Sequence, residues 1–173
     1  GGADEVDGGA GDDMIDAGSG SDVAYGGDGM DTITGANGKD TLYGDDGNFT
    51  PCSAPGACND TVDGGNGKDV AYGETGDDTV LGGNGKDMLY GDDEADSACD
   101  LADTCNDNIE GGNGKDSLSG GEGDDSLSGG NGKDNLDGGV GDDDLNGGRG
   151  KDECSGTADD TGENDCETDD SVV

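Results

Sequence analysis

Apolar residues are sparse in this chain, and they return at a fixed interval. One stands at every ninth place in the series Val6, Ile15, Ala24, Ile33 and Leu42; in Val62, Ala71, Val80 and Leu89; and in Ile109, Leu118, Leu127, Leu136 and Leu145. Between them lie turn residues in the order G-G-x-G-x-D-x-U-x, with U apolar, as in Gly64-Gly65-Asn66-Gly67-Lys68-Asp69-Val70-Ala71-Tyr72. Glycines at places one, two and four allow positive φ and close backbone approach, which makes a tight turn. Places seven to nine then form a very short strand whose middle residue points inward, because side chains alternate across a strand. Such a unit cannot bury its inward residue alone and is stable only as a stack.

Place six is always aspartate: Asp4, Asp13, Asp22, Asp31, Asp40, Asp60, Asp69, Asp78, Asp87, Asp107, Asp116, Asp125, Asp134, Asp143 and Asp152. These carboxylates, with the carbonyls of the turns, match the six to eight oxygen ligands that calcium prefers. The spacing and residue types resemble the calcium nonapeptide of the RTX (repeats-in-toxin) family. The resemblance implies an all-β, right-handed parallel β-roll, a β-solenoid with two nonapeptides per eighteen-residue turn. It also implies that each Ca2+ sits between loops stacked on one edge, with the matching aspartates as ligands and on the order of a dozen ions in all.

Charge strengthens the case for metal. Seven Lys and Arg stand against 45 Asp and Glu, a net charge of −38, and histidine is absent. The inward column is thin, so burial alone hardly offsets chain entropy, and the uncompensated chain is expected to be disordered. A dozen Ca2+ would add about +24, so calcium binding is expected to drive folding. Nucleic acid and membrane insertion are poor expectations for so acidic a chain without an apolar run of membrane length.

Counting repeats from Gly8, odd units fall on one edge of the roll and even units on the other. Lys39, Lys68, Lys86, Lys115, Lys133 and Lys151 all occupy place five of even repeats, where odd repeats carry Asp12, Met30, Asn59, Asp77, Asn106, Asp124 and Asp142. Asn37, Asn66, Asn84, Asn113 and Asn131 form a second even-edge ladder at place three. Tyr25, Tyr43, Tyr72 and Tyr90 stand at place nine of even repeats beside Val23, Thr41, Val70 and Met88 at place seven. They are expected to form an outward stack with rungs about 4.8 Å apart. That stack serves either cross-strand packing or contact with a partner; the lysine ladder either relieves repulsion or docks on an acidic edge.

Two odd repeats are interrupted and each gains eleven residues, within 48–58 and within 94–105. Each insert holds a Cys-x5-Cys pair, and short loop closure favours the disulfides Cys52–Cys58, Cys99–Cys105 and Cys154–Cys166. Residues 1–155 therefore read as the roll, with disulfide-closed loops on one edge. Residues 156–173 read as an interrupted terminal repeat. Neither a signal segment nor a polar cap is visible, so a mature product or a fragment of a longer chain is expected.

Disulfides and millimolar calcium point to an extracellular protein, secreted or on a cell surface. No histidine, HExxH or G-x-S-x-G is present, which disfavours an enzyme. The leading expectation is a calcium-binding structural protein that assembles with copies of itself, head to tail or laterally, into a filament, matrix or surface layer. The alternatives are the RTX tail of a larger secreted enzyme, toxin or adhesin and, at lower weight, an ice-binding roll built on Thr32, Thr61 and Thr79.

Overall fold

Every nine-residue unit folds into one turn and one short strand, and successive units alternate between two sheets. The computed structural model describes residues 1–46, 56–92, 104–156 and Cys166. Even units build an eight-stranded parallel sheet running from Glu5–Ala10 through Thr41–Tyr43 and Val70–Tyr72 to Glu153–Ser155. Odd units build a seven-stranded parallel sheet from Met14–Asp16 to Asp144–Asn146. The all-β solenoid expected from the repeat is the fold observed.

The core is the seam between these sheets. Inward residues stack rung on rung, Ala24 on Leu42 and Leu42 on Ala71 in one sheet, Ile33 on Val62 and Val62 on Val80 in the other. From Ala24 to Leu145 they form one cluster of fully buried side chains, with Val6 and Cys154 half-buried at its two ends.

The inserts leave this register intact. Stacked residues are normally 18 apart, but Asp40 and Asp69 are 29 apart, and 29 − 18 = 11 is the length of the insertion. Leu42 nevertheless pairs with Ala71 directly. Residues 47–55 and 93–103, which include Cys52 and Cys99 and most of each insert, lie outside the described residues, as does the expected placement of these loops on one edge. Cys58 and Cys105 are each disulfide-bonded and buried. Cys154 bonds Cys166 across a Cα separation of 5.8 Å, so a half-cystine occupies the last inward position, stacked on Leu136.

A third sheet was not anticipated. Two-residue strands at places three and four of the even repeats, from Ser19–Gly20 through Asn66–Gly67 to Arg149–Gly150, pair into a seven-stranded parallel ladder along the even edge. Asparagine side chains reinforce it: Asn66 Nδ2 donates to Asn37 Oδ1 at 3.2 Å, Asn84 to Asn66 at 3.0 Å, and Asn113 to Asn84 and Asn131 to Asn113 at 2.9 Å. Glycine is needed at place four of this sheet, because a Cβ on Gly85 would collide with the Gly67 carbonyl one rung below. The odd turns differ. Toward both ends of the roll, strands such as Val23–Asp28 and Asn135–Val140 continue into the following odd turn, whereas near the inserts they stop at place nine.

Leu89→Ala should destabilise the calcium-loaded roll by about 2–5 kcal/mol, the usual range for a buried leucine, measured by urea unfolding followed by circular dichroism. Gly85→Ala should be at least as damaging although it adds only a methyl group. Reduction of the disulfides in millimolar calcium should leave the strand signal in place, since the core column crosses both inserts without them; complete unfolding on reduction would contradict this.

Candidate metal centre

The place-six aspartates form two continuous columns, one under each edge. On the even edge each backbone N–H donates to Oδ1 of the aspartate one turn on: Asp22 to Asp40, Asp40 to Asp69 and Asp69 to Asp87 at 2.9 Å, and Asp87 to Asp116 at 3.0 Å. The odd edge repeats the pattern, from Asp31 to Asp60 and Asp78 to Asp107 at 2.8 Å, and from Asp60 to Asp78 at 2.7 Å. The turn is therefore held rung to rung by the same side chain that carries the negative charge.

That bond uses one carboxylate oxygen. The other, Oδ2, is buried with no hydrogen-bond partner in Asp22, Asp31, Asp40, Asp60, Asp69, Asp78, Asp87, Asp107, Asp116, Asp125, Asp134 and Asp152. A buried anionic oxygen without a donor is strongly unfavourable, so a row of them calls for a cation. The place-one glycines mark the space. A Cβ added at Gly82 would lie 3.0 Å from Asp87 Oδ2 and 2.7 Å from the Gly111 carbonyl oxygen of the next turn; at Gly35 both the Asp40 Oδ2 and Gly64 carbonyl distances would be 2.8 Å. Carboxylate and carbonyl oxygens thus crowd one small cradle that only glycine leaves open.

The donor set is oxygen alone, which suits a hard divalent cation such as Ca2+. Among the described residues no three acidic or soft side chains cluster closely enough to hold a metal by themselves. Carbonyl oxygens must complete each site, with the place-six aspartates supplying the charge. Asp143 lies buried in the same odd column and accepts from the Asp125 N–H at 2.9 Å. Asp4 and Asp13 differ: they head the two columns, Asp4 exposed and Asp13 half-buried. Asp60 and Asp107, which follow the inserts, stand in line with the rest.

Without a cation the columns repel themselves. Burial, opposed by the backbone hydrogen bond and aided by the carboxylates one turn away, pushes Asp87 up to about 6. Asp116 also rises to about 6 and, in the odd column, Asp125 to about 7, again chiefly through burial. On the odd edge burial takes Asp60 to about 8 and Asp107 to about 9, and it raises Asp78 well above the carboxylate range, with Asp107 adding to the push.

Place five of the odd repeats holds a second hydrogen-bond column that the sequence pattern did not reveal. Asn59 Oδ1 accepts from the Asp77 N–H at 3.2 Å, Asp77 Oδ1 from Asn106 at 2.9 Å, Asn106 Oδ1 from Asp124 at 2.8 Å, and Asp124 Oδ1 from Asp142 at 3.0 Å. These side chains are thus rungs of a ladder running opposite in sense to the inner one. The lysines at the matching even places are exposed, and Lys133 pairs with Glu153 at 3.0 Å. The four tyrosines stack face to face, with centroids 4.9, 5.0 and 4.8 Å apart and planes within 9° of parallel.

Two outcomes are expected. In chelator the raised aspartates stabilise the stack fully below the unfolded value of about 3.8. That contribution is lost as pH rises through the folded values, from about 6 at Asp87 to about 9 at Asp107. Metal-free chain should therefore gain strand signal on acidification from pH 8 to pH 4, while apparent calcium affinity should rise with pH over the same span. Asp87→Asn keeps the acceptor for Asp69 but removes charge, so it should raise the calcium midpoint of folding several-fold and make the transition less cooperative, as read by circular dichroism.

A family model for the RTX calcium-binding nonapeptide repeat matches residues 1–24, 25–48, 56–71, 63–98, 106–136, 119–154 and 128–161. No curated protein and no solved structure matches the chain. With glycine cradles, aspartate columns and family pattern coinciding along most of its length, the chain belongs to the RTX calcium-binding nonapeptide repeat family.

Proposed function

We propose that this protein is an extracellular structural module, folded by calcium and assembled with copies of itself into a filament, matrix or surface layer, with no enzymatic role. The observation that carries the assembly is the outer face of the even sheet. There Tyr25, Tyr43, Tyr72 and Tyr90 make a flat, half-buried aromatic column. Val23, Thr41 and Val70 run half-buried alongside it, and Met88 is 45% exposed. Packing between the rings accounts for their regular spacing, and the aromatic column with its flanking apolar row forms one continuous face of the size and character that a second roll would cover.

A second copy fits better than an unrelated partner because the chain carries both halves of a charge pairing. The even edge presents exposed lysines; the odd edge presents exposed Asp12, Asp124 and Asp142. Calcium supports the extracellular reading, since columns that need the cation to neutralise buried carboxylates suit a compartment where calcium is millimolar, and the disulfides suit an oxidising one. The other reading, a folding tail of a larger secreted protein, draws on the repeat pattern alone and leaves the two-sided edges without a role.

Negative-stain electron microscopy and sedimentation in millimolar calcium, beside a chelated control, test the reading. Calcium-dependent, salt-sensitive oligomers are expected. Tyr43→Ser with Tyr72→Ser, which installs the residue that Ser119 supplies at the same place, should retain calcium-induced folding and lose association. Isolated monomeric rods at every concentration would sink self-assembly and favour the tail reading.

A further inference from the structure

Place two of the turn is glycine on the odd edge at Gly9, Gly27, Gly121 and Gly139, and glycine or alanine throughout the even edge. The three odd repeats in the middle of the roll depart from this, carrying Asp45, Glu74 and Asp92. At Glu74 the backbone resists the change: φ is +78°, in the left-handed region that disfavours a side chain. An acid placed there must be compensated by what its carboxylate does.

Two of the three acids are buried and Asp92 is half-buried. Asp45 is 4% exposed and Glu74 6%. Asp45 Oδ2 accepts from the Thr75 N–H at 3.1 Å and from the Thr75 hydroxyl, which anchors it across a turn. Asp92 Oδ2 accepts from the Glu122 N–H at 2.8 Å, one turn on. Asp45 and Glu74 act electrostatically on Asp60, Asp45 also on Asp78, and Asp92 on Asp107 and Asp125. Each of those four place-six aspartates has a buried Oδ2 without a partner. The added acids and the orphaned oxygens are thus separate observations that point to one place.

We propose that Asp45, Glu74 and Asp92 make the centre of the odd edge a distinct class of calcium sites, tighter than those of the even edge, which fill first and nucleate folding of the roll. Calcium affinity in oxygen sites follows the number of charged ligands and the rigidity of the cage, and both rise here: one extra carboxylate per rung, tied at Asp45 and Asp92 to the backbone of the next turn. A stack with nearest-neighbour coupling folds outward from its most stable rungs. The sites lie between and beside Cys58 and Cys105, both disulfide-bonded, whose carbonyls face the turns at Gly76 and Gly123. The inference rests on calcium filling the columns and is independent of self-assembly.

The test uses the whole oxidised chain, titrated with calcium and followed by isothermal calorimetry and circular dichroism. The native chain should show a small tight class of sites ahead of a larger weak class. Glu74→Gly and Glu74→Gln should each weaken the tight class about tenfold and raise the folding midpoint. Ala36→Gly is the control: φ there is +72°, so glycine relieves the same strain on the even edge without altering charge. It should leave the tight class unchanged and lower the midpoint slightly. If Glu74→Gly lowers the midpoint as Ala36→Gly does, place two acts only through the backbone and the proposal fails. A single class of sites in the native chain, indifferent to Glu74→Gln, would also overturn it. A native chain that takes up no calcium would overturn this proposal together with the metal reading itself.

Discussion

Everything in this roll depends on a line of carboxylates that protein groups leave half-satisfied. Place-six aspartates such as Asp69 and Asp87 use one oxygen to tie turn to turn and leave the other buried beside a glycine cradle. The hydrogen bond makes the stack regular, and the unanswered oxygen makes it untenable without a cation. Structural order and metal demand are therefore properties of one side chain. A chain with so thin a hydrophobic seam needs that coupling, because two inward residues per turn hold the sheets together only weakly.

The edges solve the same stacking problem with different chemistry. On the even edge, Asn37 to Asn131 link side chain to side chain, and the place-four glycines let backbones come close enough to pair as a narrow sheet. On the odd edge, side chains of Asn59, Asp77, Asn106 and Asp124 cap the backbone N–H of the next turn. The even edge is uniform and tolerates lysine outside it. The odd edge admits long inserts, and the turns there gain the acids at place two. Eleven extra residues pass through without a shift of register because the aspartate columns on either side specify where the next rung must start.

Much of this was legible from spacing. A nine-residue period with one apolar and one acidic place leaves few ways to bury the first and neutralise the second, so the sheets, inward column and aspartate rows follow from residues such as Leu42, Asp69 and Leu89. The tyrosine stack was equally readable, since side-chain parity in a strand fixes the face. The Cys154–Cys166 bond was readable from short loop closure.

Other features depend on which atoms meet after stacking. Gly38 and Asn37 look like any turn residues, and only the approach of identical turns makes them a third sheet. Asp77 looks like a solvated acid, yet it accepts both the Asn106 N–H and the Thr104 hydroxyl. Glu74 looks like a tolerated exception to glycine, and its burial shows only in three dimensions. The sequence by itself determined the period, the faces and the need for a hard cation, because those depend on residue type and interval. The tertiary structure alone decided which oxygen of each carboxylate is used up and where extra charge accumulates, because those depend on contacts between turns that are distant in the chain.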